Sequence, residues 1–208
     1  DELDLLDIGG EKFDIDEVLA GELSPVFFGS AINNFGVQLM LDAILDHAPA
    51  PQPRRSRSGS IPPEHPGFSG FIFKIQSNMD PKHRDQIAFL RICSGRFVRD
   101  MRATHSRTGE QVRLSSSHRV FATTRETVDV AYPGDVIGLI GHSGFGIGDT
   151  LSEDPEILYD EMPQFVPEHF ATLHNPVAAQ YKRFQAGTKH LLQEGALQAF
   201  YFPGAAQS

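Results

Sequence analysis

Residues 71–95 read FIFKIQSNMDPKHRDQIAFLRICSG, and this stretch decides the architecture. On either side of a polar loop, residues 71–75 and 86–92 alternate between apolar and polar side chains. Successive side chains of an extended chain point to opposite faces, so the alternation predicts two strands with one face on a core. The loop between them carries Lys82, His83 and Arg84. Working outward, short apolar or alternating runs return at 67–75, 111–114, 120–122, 126–130 and 135–140, with turns at regular intervals. That density of short strands between residue 67 and about residue 152 predicts a small β-barrel.

The flanks differ in class. Residues 10–23 read as a helix with Phe13, Val18 and Leu19 on its apolar side and Gly21 as its stop. Residues 24–30 form a short apolar run, and residues 36–47 place Val37, Met40, Leu41, Ile44 and Leu45 on one helical stripe. A helix, strand, helix unit cannot cover both faces of a sheet, so this piece is expected to be the tail of a larger parallel-sheet domain. Residues 48–66 are rich in proline, arginine and serine and predict an interdomain linker. At the other end, 165–173 and 196–202 read as strands around a helix that starts near Asn175 and Pro176 and stops at Gly195. Strand, helix, strand is half of an α+β sandwich.

Composition narrows the class. The chain has 208 residues, 40% hydrophobic and 22% charged, which allows one large domain or two to three small ones. No apolar run approaches the roughly 18 residues of a membrane span, so no membrane association is expected. No signal-peptide pattern is visible, and a lone Cys93 within a strand pattern suits a packed thiol in a reducing cytosol. The opening residues DELDLLD, without an initiator methionine, read as the interior of a longer protein. The formal net charge of −9 conceals a reversal of sign. Residues 1–50 hold Asp1, Glu2, Asp4, Asp7, Glu11 and more acids against a single Lys12, whereas 54–125 hold Arg54, Arg55, Arg57, Lys74, Arg91, Arg96, Arg99, Arg102, Arg107, Arg113 and others. On charge alone, that basic stretch reads equally as a surface for RNA phosphates or as solvated strand faces.

Catalytic and metal motifs are sparse. Nine histidines include no His-x-x-x-His pair and no cluster with Cys93, so no metal site is predicted. The glycine-rich stretch 141–148 lacks the Lys-Ser/Thr of a phosphate-binding loop and reads as a turn between strands. Neither a Gly-x-x-x-x-Gly-Lys-Ser/Thr loop nor an Asn-Lys-x-Asp motif occurs, so these residues cannot carry nucleotide hydrolysis and no catalytic residue is assigned.

Four motifs carry a family resemblance. NMDPKHRD at 78–85, YPGDVIGL at 132–139, GDTL at 148–151 and GSA at 29–31, continued by INNFGV at 32–37, resemble the class II release-factor branch of the translational GTPases. The middle two mark the barrel shared by that superfamily, and the 78–85 loop selects the branch. The resemblance implies a multidomain fold class: the C-terminal end of an α/β P-loop GTPase domain at 1–47, a linker at 48–66, an all-β translation-factor barrel at 67–160, and the start of an α+β domain at 161–208. It implies guanine recognition by Gly29, Ser30 and Ala31, and GTP or GDP with Mg as ligands of the full-length protein, with phosphate-binding residues upstream of residue 1 and no ligand on this stretch. It further implies a cytoplasmic GTPase of translation termination that docks on small-subunit ribosomal RNA and promotes departure of class I release factors. Lys82, His83, Arg84, Arg91 and Arg96 are the expected RNA contacts, with no role for DNA. Two alternatives are a stand-alone RNA-binding β-barrel with acidic flanks and another translational GTPase such as an elongation factor.

Overall fold

A computed structural model describes residues 9, 13–77, 86–121, 124–142, 144–160, 162 and 166–200. The chain divides into two units, residues 1–50 and 51–208.

In the first unit, helix α1 (Ile15–Ala20) begins where the Asp14 side chain accepts from the Asp16 N–H at 2.8 Å, and ends at Gly21 in the left-handed region. Helix α2 (Val37–His47) follows a tight turn in which Ser30 and Phe35 exchange backbone hydrogen bonds of 2.9 and 3.0 Å. Gly36 opens α2 at φ +70°, and a Cβ there would lie 2.5 Å from the Phe28 carbonyl oxygen, so the turn requires glycine. Residues 24–29, expected as a strand, carry none. A strand exists through its ladder, and no neighbour among the described residues supplies one.

The second unit opens with a hairpin, β1 (Arg54–Ser56) and β2 (Gly59–Ile61). This corrects the spacer reading of 48–66 over those residues. Ser56 bridges Tyr159, Arg57 N–H donates to Leu158 O at 3.0 Å, and Ile61 is buried. Long-range partners fix a segment whose composition alone has little to bury.

The barrel is built from β3 (Ser69–Ser77), β4 (Gln86–Ser94), β5 (Phe97–Val98), β6 (Arg102–His105), β7 (Gln111–Arg113), β8 (Ser117–Phe121), β9 (Thr124–Thr127), β10 (Val130–Ala131), β11 (Val136–Ile140) and β12 (Thr150–Ser152). Eight strands form one antiparallel sheet in the order β7-β6-β12-β3-β4-β11-β8-β9, and β5 pairs with β10 as a separate ribbon. Ile72, Leu90, Ala103, Leu139 and Leu151 come from both halves of this order and share one cluster with Leu114 beyond β7 and Phe97 of the ribbon, so the sheet wraps a single core. Strands β3 and β4, expected from the alternation, run side by side with two register shifts. A second, smaller cluster of Ile61, Phe71, Cys93, Ile157 and Tyr159 lies on the outer side of that pair, and the Cys93 thiol is packed within it.

A 3-10 turn (Ala178–Gln180) leads into α3 (Tyr181–Gln193), with Gly195 in the left-handed region beyond its end. The expected strands around α3 are not formed at 166–173 or 196–200, although the Phe170 and Phe200 rings stand 6.1 Å apart. No described helix is long and apolar enough to cross a membrane.

At Gly95, φ is +66° and a Cβ would stand 2.5 Å from the Gly67 carbonyl carbon, in backbone that cannot move aside. Gly95→Ala should therefore destabilise the barrel by roughly 2 kcal/mol or more. A urea unfolding midpoint matching that of the parent protein would show that the β4–β5 turn is not fixed in this way.

Candidate nucleic-acid interface

The turn between β11 and β12 sets the geometry of one end of the barrel. Asp149 is 5% exposed and accepts from Arg107 Nε at 2.7 Å, Arg107 Nη2 at 2.9 Å and the Gly146 N–H at 2.6 Å, while His105 Nε2 stands 2.7 Å away. Arg107 also donates to Gly144 O at 2.6 Å, and Thr108 Oγ1 lies 3.1 Å from His105 Nδ1. Burial opposes ionisation of Asp149, but the Arg107 guanidinium, the Gly146 amide and His105 together hold its carboxyl below the ordinary value. The hydrogen bond to Asp149 in turn raises Arg107. His142 stacks on Phe145 at 4.7 Å, and burial pushes its imidazole down. Sequence reading took 141–148 as a connecting turn, which it is, but missed Asp149 as its hub. The signal available was an acid directly after a glycine-rich turn and at the start of a strand.

This hub sorts the basic residues. Arg107 is engaged by Asp149, Arg99 pairs with Asp129 at 3.0 Å, and Arg113 pairs with Asp100 at 3.2 Å. Arg91, on β4 opposite Phe71 and Val136, and Arg96, exposed in the β4–β5 turn, make no ion pair among the described residues. Lys82, His83 and Arg84 lie outside the described residues; Ser77 and Gln86, a cross-strand pair, flank the segment that contains them. Lys74 places its Nζ 5.5 Å from the Phe89 ring centre on the adjacent strand.

The triplet Gly29, Ser30 and Ala31 belongs to the other unit. It enters the turn closed by Ser30 and Phe35, with Gly29 and Ala31 exposed and Ser30 half-buried. Among the described residues, no group of three or more His, Cys, Asp or Glu side chains is arranged to hold a metal ion.

Residues 67–154 match the family model of elongation factor G domain 2, which spans the barrel from just before β3 to just after β12. Over 198 residues the sequence is 52% identical to a peptide chain release factor 3 from Synechocystis sp. (strain ATCC 27184 / PCC 6803 / Kazusa), covering 95% of this chain and 36% of that protein. A peptide chain release factor 3 from Gloeobacter violaceus is 51% identical over 201 residues, covering 97% of this chain and 38% of that protein. The chain is a relative of peptide chain release factor 3. It spans between 36% and 38% of the length of these release factor 3 relatives. The barrel is the part of it that carries the translation-factor fold.

Asp149 links the site to pH. Its folded-state value lies below the unfolded one, so its contribution is complete above the unfolded carboxyl value of about 3.9 and is lost as pH falls through the lower folded value. Asp149→Ala should cost about 3 kcal/mol near neutrality, toward the low end for a broken buried pair because Arg107 is itself half exposed. The deficit should shrink below about pH 4. Urea titrations of both proteins across that range measure it, and a pH-independent deficit would rule out the charge as its source.

Proposed function

We propose that this chain is the middle portion of a ribosome-dependent GTPase of translation termination. The observation that carries the reading is identity near one residue in two, sustained over almost all of the chain, with proteins named peptide chain release factor 3. In this reading residues 1–47 end a GTP-binding domain, 48–66 join it to the barrel, 67–160 are the barrel domain and 161–208 begin an α+β domain. The exposed apolar side chains of the first unit, among them Phe28, Ile32, Leu39 and Leu45, support an origin in a larger α/β layer that would cover them.

The full-length protein would bind GTP or GDP with Mg and act in the cytoplasm. Gly29, Ser30 and Ala31 would meet the guanine base. Because the Ser30 N–H is already donated to Phe35 O, the Gly29 and Ala31 amides and the Ser30 hydroxyl would be the groups to do so. The phosphates and Mg would be held by a phosphate-binding loop that this sequence does not contain, so these 208 residues alone would hydrolyse no GTP. The barrel would dock on small-subunit ribosomal RNA through Lys82, His83, Arg84, Arg91 and Arg96, neutralising phosphates rather than reading bases. Docking would couple nucleotide state to departure of a class I release factor.

The test uses the full-length protein with Lys82, His83 and Arg84 changed to alanine. Ribosome-stimulated GTP hydrolysis should fall by roughly tenfold or more while GDP binding is unchanged. Unaltered stimulation would remove the 82–84 group from the ribosome interface, and a parent protein that ribosomes do not stimulate at all would overturn the reading.

A further inference from the structure

The outer face of the β5–β10 ribbon presents side chains that the 82–84 group and the guanine turn leave unused. Phe97 and Ala131 are cross-strand partners, 0% and 1% exposed, and belong to the core. Side chains alternate along a strand, so residues 96, 98, 130 and 132 project from the opposite face. There Val98 faces Val130, 37% and 40% exposed. Extending the register by one residue sets Arg96 opposite Tyr132, which is 56% exposed. The same register holds at the other end, where the Arg99 N–H donates to Asp129 O at 2.8 Å.

Tyr132 stands on a fixed base. Its N–H donates to Asp135 Oδ2 at 2.9 Å, the Asp135 N–H returns to Tyr132 O at 2.9 Å, and Pro133 restricts the turn between them. Of the acids on these segments, Asp129 is paired with Arg99 and Asp100 with Arg113, while Asp135 accepts from the Tyr132 amide. Arg96 thus forms no ion pair among the described residues and is exposed, at the register position opposite the exposed Tyr132.

We propose that Arg96 and Tyr132 form an RNA-binding step, with an unstacked base or ribose lying on the Tyr132 ring and Arg96 meeting the adjoining phosphate. Val98 and Val130 form its apolar floor. The proposal rests on the ribosome reading above, which already gives Arg96 a phosphate, and adds to it a stacking contact at Tyr132. RNA suits this surface because one exposed aromatic ring and an exposed arginine match a base and its phosphate. Two valines and a tyrosine do not make the apolar centre of a protein interface, which buries about 800 Å² per partner.

The experiment measures binding of the full-length protein to small ribosomal subunits across a salt series, for the parent protein and for Tyr132→Ala, Tyr132→Phe and Arg96→Ala, with a thermal melt of each to confirm folding. Tyr132→Ala should weaken binding by roughly five- to a hundredfold, and Tyr132→Phe should bind as the parent does. Arg96→Ala should lower the slope of log affinity against log salt by about one. Parental affinity for Tyr132→Ala, or an equal loss in Tyr132→Phe, would overturn the stacking contact. Weaker binding of Arg96→Ala with an unchanged salt slope would assign the surface to a protein partner and overturn the RNA proposal. A parent protein that fails to bind the subunits would defeat the functional reading itself, whereas silent variants of a binding parent would defeat only this surface.

Discussion

The buried carboxylate of Asp149 is the constraint on which this end of the barrel depends. Its side chain ties β6, through His105, to the turn that leads to β7, through Arg107, and to the turn before β12, through the Gly146 amide. Its own carbonyl accepts from the Ile72 N–H at 2.9 Å, which joins the same residue to β3. A carboxylate inside a protein is costly unless every lone pair is used, and here four donor contacts converge on it. Within the glycine-rich turn 141–148, Gly141 and Gly148 take left-handed φ of +85° and +87°, the Gly146 amide meets the carboxylate, and the Phe145 ring reaches the core beside His105.

That constraint also divides the arginines. Cations that resemble one another in the sequence separate into those paired with an acid and those without an ion pair among the described residues. Arg107 is bound to Asp149, and Arg99 and Arg113 face acids on adjacent segments, so a patch counted from composition overstates the charge available to a partner. What remains is a narrower set, with Arg57, Arg91, Arg96 and Arg102 forming no ion pair among the described residues, and Arg91 lies opposite Phe71 and Val136 rather than in a uniform basic field. A surface of this kind binds by a few placed contacts, with long-range attraction screened beyond about 10 Å at ordinary ionic strength.

Much of the barrel was legible because its information is local. The alternation at 71–75 and 86–92 placed β3 and β4, and the YPGDVIGL stretch placed the turn and strand β11. The short strands β5 and β6 were not foreseen. Two and four residues are too few for periodicity to register, and their positions come from pairing with β10, β7 and β12. The hairpin at 54–61 was hidden for a related reason: nothing in Arg54, Arg55 and Ser56 promises burial until Tyr159 and Leu158 arrive from a hundred residues away. Residues 24–29 and 166–173 show the converse, stretches with strand-like sequence and no ladder among the described residues.

By itself, then, the sequence determined the helices α2 and α3, the alternating strands of the barrel, the packed thiol of Cys93 and the translational-GTPase motifs. Each of these is a matter of side-chain period or of residues adjacent in the chain. Only the tertiary structure decided that Asp149 is a hub, which arginines are engaged, and that Arg96 and Tyr132 share one exposed face. These ion pairs join residues 13 to 44 positions apart, and no local pattern encodes which distant partner a charge will meet once the sheet has closed.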